Sequence, residues 1–199
     1  MCIHGDDHGQ LAIQFLAVLL RKVACAVGLD LVPHGVIVLG INHFLGAGAD
    51  VALARLGVVP DRIASPDIDE TPRKGEVPRV YALRMAEEKA VAVPRAAGEI
   101  VIAGDTTVAV GRRILPQAAD GDMQRGFLEM LNGRRHHVLS AVAVIDADGR
   151  MRSRLCDSIV RFKRLSSEEI ESYIACGEGL GKAGGYAIQG RAEALIDWM

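Results

Sequence analysis

Three polar stretches of this 199-residue chain carry side chains that could do chemistry. The first is the acidic run Asp67-Ile68-Asp69-Glu70, the second is Gly104-Asp105-Thr106, and the third is the glycine-rich run 181–190, which contains Lys182. Carboxylates can hold a divalent cation, and a lysine between glycines can contact an anion. These residue types allow metal binding, ligand contact and anion binding, respectively.

The stretch around Asp105 has the pattern of a ligand-binding strand end. The apolar run 100–103 predicts a buried strand, which Gly104 would end, and a second apolar run follows at 108–110. A carboxylate at the end of such a strand lies where α/β proteins usually place ligand chemistry. The alternative is that Asp105 and Thr106 merely end the strand in a turn.

The other two stretches also leave alternatives open. The acidic run lies in a polar loop predicted for 60–78, where its carboxylates either face solvent or hold a divalent metal. The run around Lys182 is either a tight turn or an anion site. It is not a Walker loop, because Cys176 replaces the first glycine of that motif and Ala183 replaces the Ser or Thr.

The glycine-rich turn at 46–50 suggests one further hypothesis, that the chain is a dinucleotide-binding module. The third glycine of the usual motif is replaced by Val51, so this reading is the least favoured.

Alternating strands and helices must position these residues. The segment 79–93 has an amphipathic helical pattern, with Lys89 largely on the polar side. Ser166 and Glu169 form a capping box at the start of a later helix. The predicted strands are 36–39, 100–103, 138–145, 150–165 and 194–198, and the predicted helices are 51–56, 79–93, 122–131 and 166–176.

Composition excludes several classes of protein. The formal net charge is -2, so nothing global favours nucleic acid. The four cysteines form no CxxC pair, which argues against a disulfide framework or a zinc site and fits a reducing cytoplasm. The apolar run near the N-terminus is interrupted by Arg21-Lys22 and is too short for a membrane span. We predict an N-terminal extension of no assigned function at 1–35 and one domain at 36–199.

Five motifs, in this order and spacing, resemble the Maf family of nucleoside triphosphate pyrophosphatases. They are DIDETP at 67–72, RMAEEKA at 84–90, GDTTVAVGRRIL at 104–115, MLNGRRHHV at 130–138 and GKAGGYAIQG at 181–190. The resemblance implies an α/β fold with a twisted mixed sheet, flanking helices and two lobes, similar to the ITPase fold. It also implies a homodimer that hydrolyses dTTP or UTP to the nucleoside monophosphate and pyrophosphate, and the cysteine pattern predicts that it is cytoplasmic.

The resemblance further implies roles for individual residues. Asp105 would be the general base that activates water. Glu70, with Asp67 or Asp69, would bind a divalent cation, Mg²⁺ or Mn²⁺. The residues implied in substrate binding are Lys89 and Lys182 on phosphate oxygens and Thr106 and Gln189 in nucleotide specificity.

The chain also departs from the family pattern. Residues 41–50 contain neither the serines nor the arginine of the S-x-S-x-x-R phosphate-binding turn, and Gln117 stands where a lysine is usual. The family sequence also continues past Trp198. A catalytically impaired relative is therefore the alternative to an active enzyme.

Overall fold

The computed structural model describes residues 37–40, 59–188 and 190–199 of the chain. The N-terminal extension, the helix predicted at 51–56, the departures at 41–50 and Gln189 therefore lie outside the described residues. The elements are β1 Ile37–Gly40, β2 Arg62–Ala64, α1 Pro78–Ala92, β3 Ile100–Val110, β4 Arg113–Leu115, α2 Gly121–Leu131, β5 Arg135–Ile145, β6 Met151–Phe162, α3 Ser167–Ala175, a 3₁₀ helix Arg191–Leu195 and β7 Ile196–Trp198.

The strands form one mixed sheet, as predicted. Its order is β2-β1-β3-β5-β6-β7, and β4 pairs with β3 outside this path. β1 is parallel to both β2 and β3, while β3–β4 and β6–β7 are antiparallel. The chain reaches β3 from β2 through α1, since parallel strands need a long crossover. The fold class is therefore α/β with a mixed sheet.

The chain divides into two compact units, in agreement with the two lobes that the resemblance implied. Of the described residues, the first unit holds 37–40, 59–106 and 140–156, and the second holds 107–139, 157–188 and 190–199. In the described part of the chain, no helix is long and apolar enough to span a membrane.

Helix α1 is the main helix of the first unit. Pro78 occupies its first turn, where a missing N–H costs nothing, and the helix ends at Ala92, shortly before Pro94. Its buried face repeats every four residues and comprises Tyr81, Ala82, Met85, Ala86, Lys89 and Ala90. The prediction that Lys89 lies on the polar side is wrong, because Lys89 follows Met85 by one helical turn and shares its buried face.

Strand β3 is longer than the sequence pattern predicts. The turn expected after Ala103 is replaced by continuous strand up to Val110, so Asp105 lies within the strand and not at its end. The two halves of β3 pair with different neighbours: Ile100–Ala103 with β1 and Val108–Val110 with β4. These pairings on both sides carry the strand through Gly104, a residue that sequence patterns associate with turns.

The boundaries of the other predicted elements differ less from those of the structure. The polar loop predicted at 60–78 contains the short strand β2, and the basic run 134–137 largely belongs to β5. The last predicted strand begins as a 3₁₀ helix and becomes extended only at Ile196. The capping box is confirmed, because the Ser166 side chain accepts from the Glu169 backbone and the Glu169 side chain accepts from the Ser166 backbone.

A hydrophobic core in the second unit lies beside the glycine-rich run. Its fully buried members include Leu115, Leu128, Leu131 and Phe162. Gly184 has a φ of +68°, and a Cβ there would lie 2.8 Å from Cγ1 of Val108. Only glycine satisfies both the left-handed backbone and this close approach.

We expect Gly184→Ala to lower the free energy of unfolding by about 1–3 kcal/mol, because it adds both backbone strain and overpacking. The matched control is Gly126→Ala, since Gly126 lies within α2 and a Cβ there meets nothing within 4 Å. That control should stabilise the protein by about 0.5–1 kcal/mol. Urea unfolding of both variants measures the difference, and equal effects would contradict this account.

Candidate active site

A buried lysine between two carboxylates forms the main charged cluster of the first unit. Lys89 Nζ lies 2.7 Å from Asp105 Oδ1 and 3.0 Å from Glu70 Oε1. Lys89 is 2% exposed and Asp105 is 8% exposed. Three segments thus meet here: α1, β3 and the loop that follows β2. We call Glu70, Lys89 and Asp105 the carboxylate–lysine cluster.

The sheet explains the position of Asp105. The last residue of β1, Gly40, pairs with Ala103 of the parallel strand β3. Asp105 lies two residues beyond that pair, and its side chain is buried. Although Asp105 does not end its own strand, it lies just past the carboxyl end of the neighbouring strand, which is the usual location of ligand sites in α/β proteins.

The two carboxylates favour the charged form of Lys89. Burial opposes the charged form of Lys89, but the adjacent carboxylates of Asp105 and Glu70 outweigh burial and raise the pKa of Lys89. Burial and the same two negative charges raise the pKa of Tyr81. Lys89 therefore joins Asp105 and Glu70 as their shared cation.

The oxygens of Glu70 and Asp105 fit a divalent cation in chemical type. Both carboxylates converge on one ammonium, and Mg²⁺ commonly takes one or two carboxylates together with waters and substrate phosphates. In the described part of the chain, no group of three His, Cys, Asp or Glu side chains is arranged to hold a metal ion. The donor set therefore suits a cation shared with a phosphate ligand and not a closed protein cage.

The other two acidic residues of the predicted metal set point to different partners or to solvent. Asp67 and Asp69 are both exposed. Asp69 Oδ1 accepts a hydrogen bond of 2.9 Å from the Thr71 backbone, and hydrogen bonding by Thr71 lowers the pKa of Asp69. Of the three predicted metal ligands, the structure brings only Glu70 into contact with the carboxylate–lysine cluster.

Buried side chains fix the glycine-rich run of the second unit. Gln124 Nε2 donates to the Gly185 carbonyl at 3.1 Å, and His136 Nε2 lies 2.7 Å from the Tyr186 hydroxyl. The Ala187 N–H donates to the hydroxyl of Tyr173 at 2.9 Å. Three consecutive residues of the run are thus held by α2, β5 and α3.

Lys182 lies near the start of this anchored run and is half-buried. Its carbonyl accepts from the Ala118 N–H at 3.1 Å and from the Gly185 N–H at 2.9 Å. Burial lowers the pKa of its ammonium. Thr106, a predicted specificity residue, is half-buried in the first unit. The phosphate and specificity roles of both residues remain predictions.

Sequence reasoning missed His136 and Gln124 as residues that fix this run. His136 is 1% exposed, and its ring meets Phe162 and Tyr186 edge to face, with centroids 5.2 and 5.5 Å away. Within β5, His136 is buried between exposed Arg135 and half-buried His137. The alternation of strand side chains could have indicated this burial if the strand had been predicted to start three residues earlier.

His136 should make stability depend on pH. Burial, with a smaller contribution from His137, lowers the pKa of His136 to about 4 from its usual 6.5. Because the folded state disfavours the proton, the stabilisation is complete above pH 6.5 and is lost as pH falls from 6.5 to 4. We expect this loss to reach about 3 kcal/mol.

The test compares His136→Gln with the wild-type chain by urea unfolding at several pH values. An amide can still bond the Tyr186 hydroxyl but does not titrate. The free energy of unfolding of the variant should therefore vary less between pH 6.5 and 4. His137→Gln, at a more exposed neighbouring position, should keep the wild-type decline. If His136→Gln lost as much stability between pH 6.5 and 4 as the wild-type chain, the pH dependence could not be assigned to His136.

Known proteins are similar to this chain over most of its length. Residues 51–199 match the sequence profile of the family described as Maf-like protein. A dTTP/UTP pyrophosphatase of Sphingopyxis alaskensis is 60% identical over 147 residues, which cover 74% of this chain and 77% of that protein. A protein of the same name from Novosphingobium aromaticivorans is 57% identical over 148 residues, covering 74% of each chain.

Similar solved structures include a nucleoside-triphosphatase (dITP/XTP pyrophosphatase) from Mycobacterium abscessus, with a TM-score of 0.40 and 20% identity, covering 66% of this chain and 76% of that one.

Proposed function

This chain belongs to the Maf family, and we propose that it is a nucleoside triphosphate pyrophosphatase that hydrolyses dTTP and UTP. The products would be the nucleoside monophosphate and pyrophosphate. The observation that carries the proposal is the carboxylate–lysine cluster, in which buried Lys89 joins Asp105 and Glu70. The cluster lies within the part of the chain that matches pyrophosphatases at 50–60% identity.

Asp105 is the general base of the proposed reaction. Hydrolysis requires water to attack a phosphorus atom while a base accepts its proton and pyrophosphate leaves with the bond electrons. The carboxylate of Asp105 can accept this proton, and its ion pair with Lys89 fixes its orientation. A fixed base avoids the loss of freedom that a mobile side chain would suffer on reaching the transition state.

Glu70 is the member of the carboxylate–lysine cluster that would hold Mg²⁺ or Mn²⁺. When bound, such a cation supplies charge neutralisation for the triphosphate. Asp67 and Asp69 remain further candidates, since both are exposed on the same loop. We assign Lys89 first to the carboxylates that it contacts and propose phosphate contact as its role when substrate is bound.

The remaining proposals rest on the family resemblance. Lys182 would contact phosphate oxygens, and Thr106 and Gln189 would select the pyrimidine nucleotide. A homodimer in the cytoplasm is the proposed working form. The impaired alternative rests on residues 41–50, which lie outside the described part of the chain, and also on Gln117, which stands where a lysine is usual in the family. A dTTP hydrolysis assay on the full chain separates it from an active enzyme.

We expect Asp105→Asn to lower kcat for dTTP by about 10³-fold, because an amide cannot accept the proton from water. Pyrophosphate release measures the rate, and circular dichroism checks the fold. Asp148→Asn is the matched control, because Asp148 lies on the exposed turn between β5 and β6. Wild-type turnover by Asp105→Asn would rule out Asp105 as the base.

Turnover should also depend on a divalent cation. The triphosphate brings several negative charges to a site that already contains two carboxylates, and Lys89 supplies only one positive charge. We therefore expect excess EDTA to abolish pyrophosphate release and added Mg²⁺ or Mn²⁺ to restore it. Full turnover in EDTA would contradict the assignment of Glu70 as a cation ligand.

A further inference from the structure

Two side chains of α1 hold the backbone next to Glu70. The Tyr81 hydroxyl donates to the Glu70 carbonyl at 2.8 Å, and Arg84 Nη2 donates to the Thr71 carbonyl at 3.2 Å. Tyr81 and Arg84 are three residues apart and so lie on one side of the helix. Two successive carbonyls of the loop are thus bound by one helix.

Arg84 is itself held rigidly. Its Nε and Nη2 atoms bond the two carboxylate oxygens of Glu76, each at 2.7 Å, and its Nη1 bonds Glu88 at 3.0 Å. The side chains of Arg84 and Glu76 are 11% and 5% exposed. The hydrogen bond from Arg84 lowers the pKa of Glu76 to about 2. A bidentate ion pair that is shielded from solvent fixes the orientation of the guanidinium.

Glu70 lies in a loop outside the helices and strands of the described residues. Residues 65–77 form no strand or helix, so sheet or helix hydrogen bonds do not fix the Glu70 backbone. The Glu70 side chain nevertheless reaches Lys89 at 3.0 Å, inside the carboxylate–lysine cluster. Its carboxylate can stay there only if the backbone that carries it keeps its place.

We propose that Tyr81 and Arg84 are positioning residues that hold the Glu70 carboxylate against Lys89 and Asp105. We call these two side chains the α1 clamp. The inference rests on the proposed function and deepens it. Cleavage would depend on two residues that contact neither the attacking water nor the nucleotide in the proposed reaction. Loss of the clamp should let Glu70 leave the cluster and should make Lys89 more accessible.

The first test is Tyr81→Phe, which removes one hydroxyl and keeps the packed ring. We expect kcat for dTTP to fall about tenfold while KM changes less than about twofold, since a small displacement of a site group mainly costs turnover. Acetylation of Lys89 by acetic anhydride, read by mass spectrometry against exposed Lys74, should rise at least about threefold. If the Tyr81 hydroxyl contributed to stability alone, kcat and Lys89 acetylation would both stay at the wild-type level.

The second test is the double variant Glu76→Met/Arg84→Met. Removing both partners leaves no uncompensated buried charge in that pair, so the fold should survive. A merely structural ion pair would predict wild-type kcat in this folded variant, whereas the clamp predicts a loss of about 10- to 100-fold. The single variant Arg84→Lys should also lose turnover, although it keeps the positive charge. Lysine lacks the planar guanidinium that bonds both Glu76 oxygens in parallel.

The matched control is Arg73→Gln. The Arg73 side chain bonds Glu88 at 3.0 Å from an exposed position on the same loop, but it contacts neither carbonyl of the Glu70–Thr71 segment. It should therefore keep wild-type kcat and wild-type Lys89 acetylation. Equal losses in Arg73→Gln and Tyr81→Phe would show a general effect of the loop and overturn the clamp.

The two readouts separate this inference from the proposed function. Absence of pyrophosphate release from the wild-type chain would contradict the proposed function alone, because Lys89 acetylation does not require turnover. Unchanged acetylation in Tyr81→Phe and in the folded double variant would overturn the clamp, whatever the activity of the wild-type chain.

Discussion

Burying the ammonium of Lys89 is the constraint on which the first unit depends. A charge removed from water is costly unless opposite charges and hydrogen bonds replace the lost solvation. Asp105 and Glu70 provide both, from a central strand and from an irregular loop. Helix α1, strand β3 and the loop after β2 must therefore keep fixed positions, since a shift of any one would leave buried charge unpaired.

The same constraint explains why α1 carries so many polar contacts toward the loop. Its buried face contributes Lys89 to the carboxylate–lysine cluster, and its flank contributes Tyr81 and Arg84 to the loop backbone. The resulting hydrogen bonds replace the sheet pairing that the loop lacks. One helix can thus supply both the cation of the cluster and the support for a carboxylate that the cation binds.

The second unit fixes a flexible sequence in a different way. Its run of glycines would be mobile in isolation, because glycine has wide backbone freedom. Gln124, His136 and Tyr173 restrict it through hydrogen bonds to three consecutive residues. His136 can serve there because burial keeps its pKa near 4 and its ring uncharged at neutral pH. The predicted phosphate contact, Lys182, lies at the start of this restricted run.

The sequence by itself determined the α/β class, the bounds of the three described α-helices within a few residues, the capping box at Ser166 and, through the order of its motifs, the family with its mixed sheet. These features follow from local patterns: apolar periodicity, caps, turn residues and motif order. The sequence could not place Asp105 within a continuous strand, bury Lys89 or find the roles of Tyr81, Arg84 and His136. Those outcomes were decided by tertiary structure, because strand pairing and charge compensation join residues that are distant in the chain. Lys89 shows the physical reason: its charge indicates exposure, whereas Asp105, sixteen residues away, and Glu70 from the loop make its burial stable.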